Sequence, residues 1–92
     1  MIKVLIVDDE ALARSRLARM LAPFSDLSVV GEASNGVEAL QMVQSLNPDL
    51  VLLDIEMPEL SGLEVAEALG AQGPTIVFVT AYSEHALKAF EL

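Results

Sequence analysis

The sequence predicts an α/β fold built on a doubly wound parallel sheet, and three observations predict it. Short β-branched runs begin at Ile2, Leu27, Leu50 and Thr75, at intervals of 25, 23 and 25 residues. Apolar residues recur at helical spacing between them. The chain is 53% hydrophobic with only one Tyr, three Phe and no Trp, so its core must be aliphatic, as suits a buried sheet covered by helices. A repeated strand–helix unit takes right-handed crossovers, which make the strands parallel and put helices on both faces.

The first strand spans Ile2 to Val7 and breaks at Asp8, Asp9 and Glu10. Ala13, Leu17, Met20 and Leu21 then mark a helix. The second strand, Leu27 to Ala33, is mixed in polarity, which suits a sheet edge. Asn35 with Glu38 has the spacing of a capping box, opening a helix through Val37, Leu40, Val43 and Leu46 that Asn47-Pro48 should stop. The third strand, Leu50 to Asp54, is a continuous apolar run up to its last residue, as expected when both faces are covered. Ser61 with Glu64 repeats the capping-box spacing before Leu63, Ala66 and Leu69, and Gly73-Pro74 should end that helix. The fourth strand runs from Thr75 to Val79. Four such units would end a few residues past Leu92, so the sequence covers one domain, or part of one, with no linker or second domain evident.

Fourteen acidic against five basic side chains give a net charge of −9, which repels phosphate backbones and anionic membrane surfaces. Nucleic-acid binding by this segment is therefore not expected. The absence of cysteine excludes disulfides and thiolate metal sites. Runs such as Leu50 to Leu53 and Ile76 to Val79 are far too short to span a bilayer, and Asp8 cuts off the apolar stretch Val4 to Val7 before it resembles a secretory signal. A cytoplasmic location is the expectation.

In a parallel sheet every strand delivers its C-terminal end to one edge, where ligands bind. Here the first strand ends in Asp8-Asp9, the third in Asp54 and the fourth in Thr80. Taken singly, an aspartate after the first strand need only cap the next helix, Asp54 need only be a turn residue, and Thr80 a solvated strand end. Three carboxylates converging from distant positions are a different matter, because like charges about 4 Å apart repel by roughly 4 kcal/mol at an effective dielectric near 20. Such a cluster asks for a cation. Its ligands are hard oxygens without Cys or His, which favours Mg²⁺, with Mn²⁺ as the alternative, over zinc. A carboxylate beside such an ion suits phosphoryl transfer.

The strings Val-Leu-Ile-Val-Asp-Asp-Glu at 4–10, Asp-Leu-Val-Leu-Leu-Asp-Ile-Glu-Met-Pro at 49–58 with Gly62, and Val-Thr-Ala at 79–81 resemble the receiver domain of bacterial two-component response regulators. The resemblance covers the whole chain in the right order. It implies a flavodoxin-like sheet of strand order 2-1-3-4-5, in which residues 1–92 would be a receiver lacking its last βα unit. It further implies Asp54 as the phosphoacceptor for a sensor histidine kinase, and Mg²⁺ held by Asp9, Asp8, Asp54 and the backbone carbonyl of Glu56. Thr80 would donate its hydroxyl to a phosphoryl oxygen, with Ala81 leaving room beside it. Pro58 and Gly62 would shape the loop over the site. Glu56 and Tyr82 occupy the family's variable positions, where they would tune phosphate lifetime.

The family's lysine after a fifth strand is not matched by Lys3 or Lys88. Without a fifth βα unit, one face and the edge of the fourth strand would stay open, so self-association is expected. Arg14, Arg16 and Arg19 read as a solvated helix face, His85 as an exposed residue after a cap at Ser83, and Ala86, Leu87 and Phe90 as a core stripe. The segment from Thr80 to Leu92 resembles receivers that precede a LytTR-type DNA-binding domain, which implies transcription regulation and DNA binding by an intact protein. The chain is then a signalling switch and not an enzyme in its own right. The alternative is a receiver-like interaction module that is never phosphorylated. An aspartate-nucleophile phosphatase would need a second aspartate where Glu56 stands, and nucleotide binding would need a phosphate loop that does not follow the first strand.

Overall fold

A computed structural model of the chain describes residues 1–79. Thr80, Ala81, Tyr82, Ser83, His85, Ala86, Leu87, Lys88 and Phe90 lie outside the described residues. The elements in chain order are β1 (Ile2–Val7), α1 (Ala11–Leu21), β2 (Leu27–Ala33), α2 (Gly36–Leu46), β3 (Leu50–Leu53), α3 (Gly62–Leu69) and β4 (Thr75–Phe78). The four strands pair in parallel in the order β2-β1-β3-β4, with β2 at an edge as its mixed polarity suggests.

Strand alternation divides the apolar residues between two cores. Val4, Ile6 and Leu52 face α1, where Leu17, Ala18 and Leu21 cover them. Leu5, Val7, Val51 and Leu53 face the other way, against α2 and α3, with Ala39, Met57 and Val65. The central strands β1 and β3 are buried on both sides, which explains their unbroken apolar runs.

Several boundaries differ from the sequence expectation. Both β3 and β4 end one residue early, leaving Asp54 and Val79 just beyond the strands, although Asp54 N still donates to Val7 O (3.0 Å) and Val79 N to Leu53 O (3.0 Å). Helix α3 stops at Gly70, whose φ of 71° needs no Cβ, rather than at Gly73-Pro74. Asn47, at φ 48°, ends α2 where expected. The capping box at Ser61 and Glu64 is complete. At α2 only half of one forms. Asn35 Oδ1 accepts from Glu38 N, but Glu38 turns its carboxylate one residue further back, to Ser34 N (2.8 Å). Met20 and Val37, read as members of apolar stripes, are 61% and 56% exposed.

Strand β2 is irregular at one point. Its register with β1 slips between Val4 and Leu5, because Val4 pairs with Val29 and Leu5 with Gly31, leaving Val30 as a bulge residue. Leu27 and Val29 face α1, whereas Ala33 faces α2 and α3. The bulge reverses the alternation and turns Glu32 to the α1 side.

Candidate metal and phosphoryl site

The acidic residues gather where the strands end. Asp8 follows β1, its N–H bonded to Ala33 O of β2 (3.1 Å), and Asp54 follows β3, its N–H bonded to Val7 O. The sheet ladder thus continues one residue past each strand and fixes both backbones side by side. Asp8, Asp9 and Asp54 each offer a carboxylate oxygen within 4.8 Å of the others. Among the described residues no His or Cys joins them.

The three carboxylates are not equivalent. Asp8 is buried, and its Oδ1 accepts from Glu10 N (2.9 Å), so its side chain is held by an Asx-type turn. That bond precedes the helix without capping it: Glu10 is the N-cap of α1 and makes no side-chain cap. Asp9 is exposed at the rim. Asp54 is half-buried, and its Oδ1 accepts from Glu56 N at 3.2 Å. Loss of hydration pushes the Asp54 carboxyl above its ordinary value, the Glu56 N–H bond opposes this, and the charges of Asp8, Asp9 and Glu56 add to the rise.

This shift fixes a pH dependence. The folded chain holds the Asp54 proton more tightly than the unfolded chain does, so the stability this group contributes is full below pH 3.8 and falls as pH rises through the raised value. Asp54→Asn should therefore stabilise the metal-free fold at neutral pH and lose that advantage in acid. Urea unfolding in EDTA at a series of pH values measures it, and an equal effect at every pH would count against the assigned cause.

A cleft of about 830 Å³ opens on the cluster between α1 and the loop after β3. Asp8, Asp9, Asp54 and Glu56 share it with Ala13, Leu17, Met57, Pro58 and Val79. The loop is shaped by Glu59, at φ 68°, and by Gly62, whose N–H returns to Ile55 O at 2.8 Å. Pro58 lines the cleft, and Gly62 packs against the Asp54–Ile55 backbone at the end of β3. Thr80 and Tyr82 lie outside the described residues.

One residue at this edge escaped the sequence reading. Arg14 is not part of a solvated face: its side chain is 18% exposed, Nη1 donates to Asp8 O at 2.7 Å, and Nε lies 3.4 Å from Glu32 Oε1. The signal was present in the spacing, since Arg14 precedes Leu17, Ala18 and Leu21 by three, four and seven residues, on the stripe that faces the sheet. Arg16 and Arg19 are exposed, as expected.

Residues 4–92 match the family described as the response regulator receiver domain. Over 99% of its length the chain is 54% identical to the transcriptional regulatory protein BtsR of Escherichia coli K12, of which it covers 38%. It is 47% identical to a response regulatory protein of Vibrio cholerae, of which it covers 39%. The chain thus spans less than half the length of these curated relatives. Among solved structures it superposes on the receiver domain of the response regulator NarL from Mycobacterium tuberculosis with a TM-score of 0.83 at 35% identity, covering 94% of this chain and 71% of that one. For the response regulatory domain of mrkE from Klebsiella pneumoniae the TM-score is 0.81 at 40% identity, covering 97% and 75%.

Proposed function

The chain belongs to the response regulator receiver domain family, and from that premise we propose that it is a phosphorylation switch whose acceptor is Asp54. The observation that carries the reading is the meeting of three carboxylates from two strand ends, with Asp54 the one whose proton affinity is raised. The acceptor role of Asp54 is what the resemblance of residues 49–58 to the receiver family implies, and a carboxylate beside a divalent-ion site suits that chemistry. Asp8 is buried and Asp9 exposed at the rim, whereas Asp54 is half-buried and faces the cleft.

The donor set fits a hard divalent ion. Its side chains are all carboxylates, their oxygens are close enough to share one ion, and Asp54 carries a charge its surroundings oppose. Asp8, Asp9 and Asp54, with the Glu56 carbonyl, would hold Mg²⁺, and Mn²⁺ would fit as well. When bound, the ion supplies positive charge that offsets the phosphoryl oxygens and the carboxylates together. An Asp54 oxygen attacks the phosphorus of a phosphohistidine on a sensor histidine kinase; the P–O bond forms, the P–N bond breaks, and the departing imidazole takes up a proton. By the family resemblance Thr80, outside the described residues, would donate its hydroxyl to a phosphoryl oxygen, and Glu56 with Tyr82, also outside them, would tune how quickly water hydrolyses the acyl phosphate.

The relatives named transcriptional regulatory proteins support a wider reading in which an intact protein regulates transcription. A LytTR-type DNA-binding domain outside this segment is what the resemblance of residues 80–92 adds to it, with the cytoplasm as its place of work. In that reading residues 1–92 are a receiver domain without its last βα unit. No helix among the described residues is long and apolar enough to cross a membrane. Val77 and Phe78, 43% and 40% exposed on β4, support self-association of the segment; sedimentation should show it, and substituting Val77 with Lys should reduce it.

Incubation with acetyl phosphate tests the central claim. We expect the chain to gain the mass of one phosphoryl group when Mg²⁺ is present and none in EDTA. The absence of any gain, together with no response to beryllofluoride, would favour an interaction module that is never phosphorylated. Mg²⁺ alone should stabilise the fold, by about 2.7 kcal/mol at a hundred times its dissociation constant, and EDTA should reverse this in a thermal scan.

A further inference from the structure

We propose that Arg14 is a positioning residue of the acidic pocket, fastening the Asp8–Asp9 peptide to β2 and thereby setting the affinity of the pocket for a divalent cation. The inference rests on the proposed function for the identity of the pocket, and it assigns a role to a side chain outside it.

The carbonyl that Arg14 Nη1 grips, at 2.7 Å, belongs to the peptide joining Asp8 to Asp9. The orientation of that peptide decides where the Asp9 side chain points. Asp8 is held three times over, by its N–H to Ala33 O, its Oδ1 from Glu10 N and its carbonyl from Arg14. For Asp9, no side-chain hydrogen bond is present among the described residues, so its placement depends on the backbone the guanidinium fixes.

The other end of the guanidinium is anchored by Glu32, 3.4 Å from Nε. Glu32 reaches α1 only because the Val30 bulge turns it to that side of the sheet. A planar guanidinium can hold two acceptors at a fixed angle, which an ammonium cannot. The Glu32 carboxylate is 43% exposed, so as an ion pair it contributes little to stability. What it does is hold a permanent cation in place and offset its charge beside a pocket that must accept another cation.

Positioning and simple electrostatics differ in sign. Removing a positive charge from the neighbourhood of three carboxylates should tighten cation binding if charge alone mattered. If Arg14 positions the turn, Arg14→Ala should weaken it, by about tenfold, as is common when a group orienting metal ligands is lost. Arg14→Lys keeps the charge and one donor and should recover part of the loss. Glu32→Gln keeps an acceptor for Nε and should change affinity by less than about twofold, whereas Glu32→Ala should weaken binding in the wild-type background and do nothing further in Arg14→Ala.

The measurement is Mn²⁺ binding to the full 92-residue chain, by calorimetry and by the loss of free-ion EPR signal, with urea unfolding in EDTA to establish that each variant is folded. Weaker binding in Arg14→Ala and intermediate binding in Arg14→Lys is the expected result. Unchanged or tighter binding in folded Arg14→Ala, with normal binding by the wild type, would overturn the positioning role and leave the pocket reading intact. If Arg14→Ala does not fold, Arg14→Lys and Glu32→Ala decide, and wild-type affinity in both overturns it. A wild-type chain that binds no Mn²⁺ would overturn the pocket reading and this one with it.

Discussion

Asp54→Ala should lose incorporation of a phosphoryl group from acetyl phosphate by at least about a hundredfold, because the reaction depends on the group removed. Asp8 and Asp9, whose oxygens lie within 4.8 Å of the missing one, should not take its place. The Asp8 carboxylate is buried, and Asp9 stands exposed at the rim of the cleft. The variant also carries its own folding control. Asp54 sits among like charges that oppose its ionisation, so its removal should leave the metal-free fold at least as stable at neutral pH. A variant that is folded by urea titration and unlabelled by intact mass places the acceptor at residue 54. Retention of near-stoichiometric label would place it elsewhere.

The meeting of the acidic residues could be foreseen from where the apolar runs stop, whereas the strand order was implied only by the resemblance to the receiver family. A parallel sheet sends every strand end to one edge, so Asp8-Asp9 after Val7 and Asp54 after Leu53 had to be neighbours once those two strands paired. Less was legible wherever a residue's role depends on a three-dimensional detail that spacing does not encode. The bulge at Val30 leaves no trace in a seven-residue mixed strand, yet it decides which face Glu32 occupies. Arg14 shares its helix with two exposed arginines; its spacing puts it on the stripe that faces the sheet, but does not say what it grips there, the Asp8 carbonyl just past β1 and Glu32 on β2. Glu38 sat at the right distance for a capping box, but its carboxylate found the Ser34 N–H instead, a choice between two nearby donors that local sequence leaves open.

Gly62→Ala should be among the most damaging single substitutions in the chain, and for a reason that links the fold to the site. A Cβ there would meet the Asp54 carbonyl oxygen, with Ile55 Cα at 2.8 Å and Asp54 C at 2.9 Å. All three are backbone atoms, so no side chain can swing aside; either the loop lifts away or the end of β3 shifts. Overpacking of this kind costs about 3 kcal/mol, and in a domain this small each kcal/mol lowers Tm by about 4–8 °C. Gly70→Ala is the contrasting variant. No atom of the described residues lies within 4 Å of its added methyl, and only the backbone, at φ 71° and ψ −179° in a region essentially confined to glycine, resists the change, at about 1–3 kcal/mol. Both variants should melt earlier, but Gly62→Ala alone should slow phosphorylation at a temperature where both remain folded, because two of the three atoms it displaces belong to Asp54 itself. Equal phosphorylation rates in the two would mean that the close approach of Gly62 to the end of β3 serves the fold and leaves the acceptor untouched.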